Sequence, residues 1–365
     1  MDSIPEAVFS HDIFSKLPVK SLLACKCVCK TWYDLISDPD FVKSHIDLTI
    51  QTNKPTLLLR FPDHVVRSIL PDSLKSSDCN INAKRSLCPR FRFTSYYTLL
   101  CSCKGIVCIR YAGSLGYRGS LLSLWNPATR EYKIIPKPPS TFGFGALGYD
   151  CNTNDYKLVV VDNLDGDGYS SKVQVYSLAS NSWKSNPSIP YTFPHGHGQA
   201  SGVLFNGFLH WLALDRNSCR VIVSLDVRDE SFRKLRIPDD SQKFDLSLGF
   251  SAGCLCLLAF RARSRLVVWE MLDYGVQESW TKRCIYTLTN KSGFRDEPRL
   301  SLVRYLEKGK ILLRSSDSLV LYDPKCTARV HGIFCLEWVN YFESLVSLSS
   351  GTYVGGDGII EYKEP

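Results

Sequence analysis

Long apolar runs are missing from this 365-residue chain. None approaches the ~18 consecutive residues that a membrane-crossing helix needs. The longest candidate, CLCLLAF from Cys254 to Phe260, has the length of a buried strand. The opening MDSIPEAVFSHD carries acids and lacks the basic-then-apolar pattern of a secretory leader, so cytosol or nucleus is the expected compartment. No P-loop, dinucleotide fingerprint or set of paired carboxylates stands out, which argues against an independent enzyme and against a cofactor. Basic motifs interleaved with aromatics are also lacking, so nucleic acid is not an expected partner, and neither is a membrane.

Cysteine is the reverse case, with 15 copies in the chain. A long sequence without a leader and with an odd count favours reduced thiols over a disulfide framework. No CxxC pair occurs; the recurring spacing is CxC, at Cys25/Cys27/Cys29, Cys101/Cys103 and Cys254/Cys256. On a helix, residues two apart point to opposite sides and cannot share one zinc ion. On a strand they share a face, but no second pair lies nearby. Small core hydrophobes are the expected role for all of them, and no metal is expected.

Residues 1–47 read as three or four short helices. Pro5 suits the first turn of a helix, and Phe9, Ile13 and Leu17 follow at helical spacing until Pro18 ends the pattern. VKSLLACKCVCKTWYDLIS resumes it with Leu22, Val28, Trp32, Leu35 and Ile36, and Asp38-Pro39 caps and starts a further helix through Phe41, Val42 and Ile46. A core that small is marginal alone and must lean on the rest of the chain or on a partner.

The stretch IPEAVFSHDIFSKLPVKSLLACKCVCKTWYDLISDPDFVKSHI resembles the F-box, notably in LPVKSL, VCKTW and LI…F. F-boxes dock on the small SKP-type adaptor of cullin–RING (SCF) ubiquitin ligases. Carried over by position, the resemblance implies docking through Pro5, Phe9, Ile13, Leu17, Pro18, Leu22, Val28, Cys29 and Trp32. Pro5 stands one residue further from Ile13 than the pattern usually has it, so Val8 competes with Phe9; helical spacing to Ile13 favours Phe9. Cys25 and Cys27 fall around the bend between helices as filler.

From residue 55, after a linker expected at 48–54, the texture changes to short β-branched and aromatic runs divided by turn residues. A repeat is visible. LWNPATREYK, VYSLASNSWK and SLDVRDESFRK align, with Trp125, Tyr176 and Leu225 each followed 7 residues later by Tyr132, Trp183 and Phe232. VWEMLDYGVQESWTK is the same unit with four extra residues, from Trp269 to Trp280, and LYDPKCTARV from Tyr322 is a worn fifth copy. Turns at Gly105, Gly207, Gly253 and Gly309, and NTNDY around Asp155, run in phase with it. Four strands about every 50 residues is the period of a kelch-length propeller blade. The expected fold is therefore a small helical head followed by an all-β domain over 55–365, most consistent with a propeller of about six blades. Its last blade would join PTLLLRF near the start to strands around ESLVSL and GIIEYK near the end. A stack of sheets or two β-sandwiches would use the same strands.

WNPATREYKIIP, YDCNTNDYKLVVV, VYSLASNSWK and GVLFNGFLHWLA are similar to the F-box-associated, kelch-like domain of plant F-box proteins. That family includes receptors implicated in pollen self-incompatibility and in control of immune receptors. The paired glycines of a true kelch repeat are missing here. Three short motifs invite other readings. GFSAG around Ser251 has the spacing of a nucleophile elbow, but a strand follows it where a helix is required. NLDGDG (163–168) has Gln174 where a calcium loop needs a bidentate Glu, and HGHG (195–198) offers two imidazoles without further ligands.

Residues 1–47 hold 5 Lys against 7 acids, leaving 39 basic and 29 acidic residues in the rest of a chain of net charge +8. RARSR (261–265), RKLR (233–236) and Lys282-Arg283 contribute. A basic recognition face would suit an acidic or phosphorylated protein target; bases scattered over a solvated surface are the plainer reading. The resemblance implies a non-catalytic substrate receptor of an SCF-type ligase, with the SKP-type adaptor, the cullin–RING core and an unidentified protein target as partners. A protein- or glycan-binding scaffold outside ubiquitination is the alternative.

Overall fold

The computed structural model describes residues 13–70 apart from 53, 54 and 64, residues 84–348 apart from 87–89, 92–96, 114–115, 140–142, 165–169, 195–201, 252, 262–264, 288–299, 306–309, 316–317 and 323–328, and residues 359–360. Among the described residues a 3-10 turn, Phe14–Lys16, precedes three helices: α1 (Val19–Cys25), α2 (Lys30–Ser37) and α3 (Pro39–Thr52). Pro18 forces the break before α1, because the residue before a proline is pushed out of helical backbone; Leu17 is extended, at φ −78° and ψ 143°. The Asp38 carboxylate accepts the amides of Asp40 (3.0 Å) and Phe41 (2.9 Å) and caps α3, with Pro39 in the first turn. α3 continues to Thr52, past the boundary expected at 47 and through most of the expected linker.

Among the described residues six antiparallel sheets follow, of which II, III, V and VI are four-strand meanders. Sheet I orders Glu337–Tyr341, Thr56–Arg60, Val66–Ile69 and Lys84–Ser86. Sheet II runs Tyr97–Cys103, Ile106–Gly113, Gly116–Asn126, Glu131–Ile135, and sheet III Phe144–Asp150, Asp155–Asn163, Ser171–Ser177, Ser182–Ile189. In sheet IV the first position is split between Tyr191–Thr192 and Val203–Phe205, followed by Phe208–Asp215, Arg220–Asp226 and Phe232–Leu235. Sheet V holds Asp245–Ser251, Cys254–Arg261, Arg265–Met271 and Trp280–Thr287; sheet VI holds Leu300–Tyr305, Ile311–Ser315, Ser318–Tyr322 and Arg329–Phe334. The helices and sheets I and II belong to one compact unit, and sheets III–VI to another.

The repeat seen in sequence is the outer hairpin of each sheet. Trp125 pairs with Tyr132, Tyr176 with Trp183 and Leu225 with Phe232, directly across the third and fourth strands. Such cross-strand pairs hold register. Each hairpin turns through one left-handed residue at the same place, Arg130 (φ 63°), Asn181 (φ 52°) and Glu230 (φ 60°). The four extra residues of sheet V form a 3-10 turn, Gln277–Ser279, and shift the register so that Trp280 faces Met271. Trp269 then faces Lys282, whose ammonium lies 4.8 Å from the ring centre. The inner turns at Lys104-Gly105 and Asn206-Gly207 have positive φ at both residues, which the tight two-residue hairpin demands.

Two expectations are corrected here. The strand that completes sheet I is EWVNY, Glu337–Tyr341, paired with Thr56–Arg60 and held by the Arg60–Glu337 ion pair. ESLVSL forms no strand, and Ile359–Ile360 of GIIEYK pairs instead with Arg90–Phe91. Cysteines fill the core only in part. Cys101, Cys103, Cys108, Cys256 and Cys335 are buried, whereas Cys27, Cys29, Cys151 and Cys219 are exposed. Burial pushes the Cys103 thiol up to about 12, so it behaves as an inert core group.

Candidate docking surface

The helical head closes on a small core of Phe14, Val19, Leu22 and Ile36, completed by Leu345 from beyond the last strand of sheet I. Trp32 meets Phe14 edge-on, with ring centres 5.0 Å apart, a favoured aromatic geometry. His45 is buried, and its Nε2 donates to the Leu17 carbonyl at 2.9 Å, tying the first turn to α3.

The sequence-derived docking residues separate into three groups. Ile13 (38% exposed), Pro18, Val28 (63% exposed) and Cys29 lie outward. Leu17 and Trp32 are half-buried and pack on the head's core. Leu22 is fully buried beside Val19 and Ile36 and offers a partner no surface in this structure, so its role here is to hold the head together. Pro5 and Phe9 lie outside the described residues, as do HGHG and parts of NLDGDG and RARSR. Tyr33, which the sequence reading passed over, is 54% exposed and takes the Lys26 ammonium over its ring at 5.7 Å. Its place directly after Trp32 in the VCKTWY stretch was the available signal.

The head is seated on sheet II. Asp47 on α3 bonds Lys104 in the first turn of that sheet at 2.5 Å. Lys26 feels Glu131 at the start of the sheet's fourth strand; partial burial lowers its ammonium below the ordinary value and Glu131 works against that. Ala128, in the outer hairpin turn, packs against the head's core.

Elsewhere, no group of three or more metal-ligating side chains gathers among the described residues. Ser251 ends one strand and pairs with Cys254 at the start of the next, where a nucleophile elbow needs a helix. The basic clusters are partly neutralised: Lys282 bonds Asp240 at 2.9 Å and Arg283 lies 3.8 Å from Glu270. No described helix is long and apolar enough to cross a membrane.

Comparison with known proteins agrees with this architecture. The model of the F-box associated beta propeller domain matches residues 49–328, and an F-box-like model matches residues 1–49. The chain therefore belongs to the F-box proteins with an associated β-propeller: three helices make the F-box, and the six sheets are the blades. It is 30% identical over 357 residues to the F-box protein CPR1 of Arabidopsis thaliana, covering 88% of this chain and 82% of that one. It is 29% identical over 292 residues to an F-box/kelch-repeat protein of the same plant, covering 74% and 76%. A structure of the SapL1 lectin in complex with alpha methyl fucoside aligns with 79% of this chain and 98% of its own, at a TM-score of 0.43 and 9% identity. At that level the likeness carries no weight for fold or ligand.

Proposed function

We propose that this chain is the substrate receptor of an SCF-type cullin–RING ubiquitin ligase. The observation that carries the reading is the outward set of Ile13, Pro18, Val28, Cys29 and Tyr33 on a head whose own core is closed without them. A SKP-type adaptor covers that surface, and the cullin–RING core follows through the adaptor. The propeller holds a protein target, and tethering raises the effective concentration of the target's lysines near the ubiquitin-loaded enzyme. The chain itself makes and breaks no bond. Recognition belongs to loops between strands, which a rigid scaffold positions.

The test is co-expression of the full chain with the SKP-type adaptor and size-exclusion chromatography. A one-to-one complex is expected, and Leu17→Ala/Pro18→Ala together with Val28→Asp should abolish it. A folded chain that elutes alone would overturn the ligase reading and leave a binding scaffold.

A further inference from the structure

Residues 342–348 follow the last strand of blade I without forming helix or strand, yet Ser344, Leu345 and Leu348 are buried. One side chain organises them. Asn126, fully buried at the end of the third strand of blade II, donates through Nδ2 to the Ser344 carbonyl (3.0 Å) and the Val346 carbonyl (2.8 Å), with Ser344 Oγ at 3.3 Å. Its Oδ1 accepts the Ala128 amide at 3.0 Å and the Tyr341 hydroxyl at 3.3 Å. Burial raises the Tyr341 phenol well above its ordinary value and keeps it a donor. The primary amide thus uses all of its hydrogen-bonding capacity. Glu131, five residues along the same hairpin, accepts Ser347 Oγ at 2.8 Å and the Leu348 amide at 2.6 Å. Inside the first grip, flanked by Ser344 and Val346, Leu345 enters the F-box core.

The space is made for this strap. Gly105, at φ +85°, faces Ser344 so closely that a Cβ there would sit 2.0 Å from Ser344 Oγ. The equivalent Gly207 of blade IV meets nothing within 4 Å. Asn126 is also distinctive in sequence: the residues after the other repeat anchors are Ser177, Asp226, Glu270 and Asp323, none of which can donate two N–H groups.

We infer that residues 342–348 are a splint that locks the F-box onto blade II, with Asn126 as its positioning residue. Under the ligase reading, on which this inference rests for its function, the splint fixes where the propeller points relative to the ubiquitin-loaded enzyme and so which lysines are reached.

The experiment uses the full chain, wild type and Asn126→Asp, which keeps shape and replaces the amide donors by an acceptor. Leu345→Ala, which withdraws the anchor and leaves the hairpin intact, serves as the second variant should Asn126→Asp fail to fold. Hydrogen exchange is measured first. Amides of 342–348 and of α1–α3 should exchange at least tenfold faster in the variants, with blades III–VI unchanged. Each chain is then assembled with adaptor, cullin, RING protein, ubiquitin-loading enzymes and ubiquitin, and its self-modified lysines are mapped. Wild type should modify a small fixed set; the variants, each compared at a saturating adaptor concentration, should spread modification over more lysines. Loss of stability alone would lower all sites together and leave the pattern unchanged. Unchanged exchange and an unchanged lysine pattern would overturn the splint. If wild type binds no adaptor, the ligase reading fails, and the exchange result alone decides whether the strap holds the head.

Discussion

The F-box and the blades solve the same burial problem on different scales. Five buried side chains close the F-box, and one of them, Leu345, is lent by distant chain. Fifteen fill the cluster shared by blades III and IV, all from those two blades and the residues joining them. At about 1.5–3 kcal/mol per large apolar side chain buried, the helical head has little to spare, whereas a blade pair tolerates loss. The head nonetheless leaves Ile13, Val28 and Tyr33 in water. A small core of this kind is completed from outside the helices, here by Leu345 from distant chain.

The largest expected effect tests that asymmetry directly. Leu22→Ala should cost about 2–5 kcal/mol and remove protection from α1–α3 and adaptor binding together. The melting of blades III–VI, followed by hydrogen exchange, should not move.

Blade IV carries the next effect. His210 is buried, with Nδ1 bonded to the Val203 carbonyl at 3.2 Å and Nε2 to the Tyr274 hydroxyl at 2.7 Å. Burial pushes its imidazole down to about 4 from 6.5. The unfolded chain therefore takes up the proton first. Stability is complete above pH 6.5 and falls as pH drops towards 4, by about 3 kcal/mol in all. Urea midpoints at pH 7 and 4.5 measure this, and His210→Phe should flatten the slope if His210 is its source.

Smaller still is the contrast between two glycines. Gly207→Ala should lose only the ~1–2 kcal/mol of a left-handed backbone, whereas Gly105→Ala must also displace Ser344. Equal losses for both in thermal melts would break the proposed fit between strap and turn. Smallest in stability is Val28→Asp, expected within about 0.5 kcal/mol of wild type. It should weaken adaptor binding at least tenfold, read by titration calorimetry.

Much of this was legible from the chain alone, because the anchors and their partners seven residues on are a direct image of the outer hairpins. What escaped has local physical causes. A family pattern marks which residues matter in a docking motif but not which way each faces, and Leu22 faces inward. α3 outran its expected end because IDLTIQT, with its β-branched residues, argues against helix. In the folded chain Thr49 and Thr52 turn their hydroxyls back to the carbonyls of His45 and Leu48. ESLVSL has the length and apolar content of a short strand, yet Asn126 supplies by side chain the hydrogen bonds that a neighbouring strand would have given. No one-dimensional pattern shows that substitution.

The pairing of Arg60 with Glu337 joins positions 277 residues apart, and this has a consequence for how the protein is made. A ribosome adds roughly 5–20 residues per second, so the first strand of blade I waits on the order of 15–55 s for its partner. The F-box waits longer, since Leu345 emerges later still. Made before every blade, it is among the last parts to be finished. A polypeptide broken off before Leu345 would carry an F-box without its fifth core side chain.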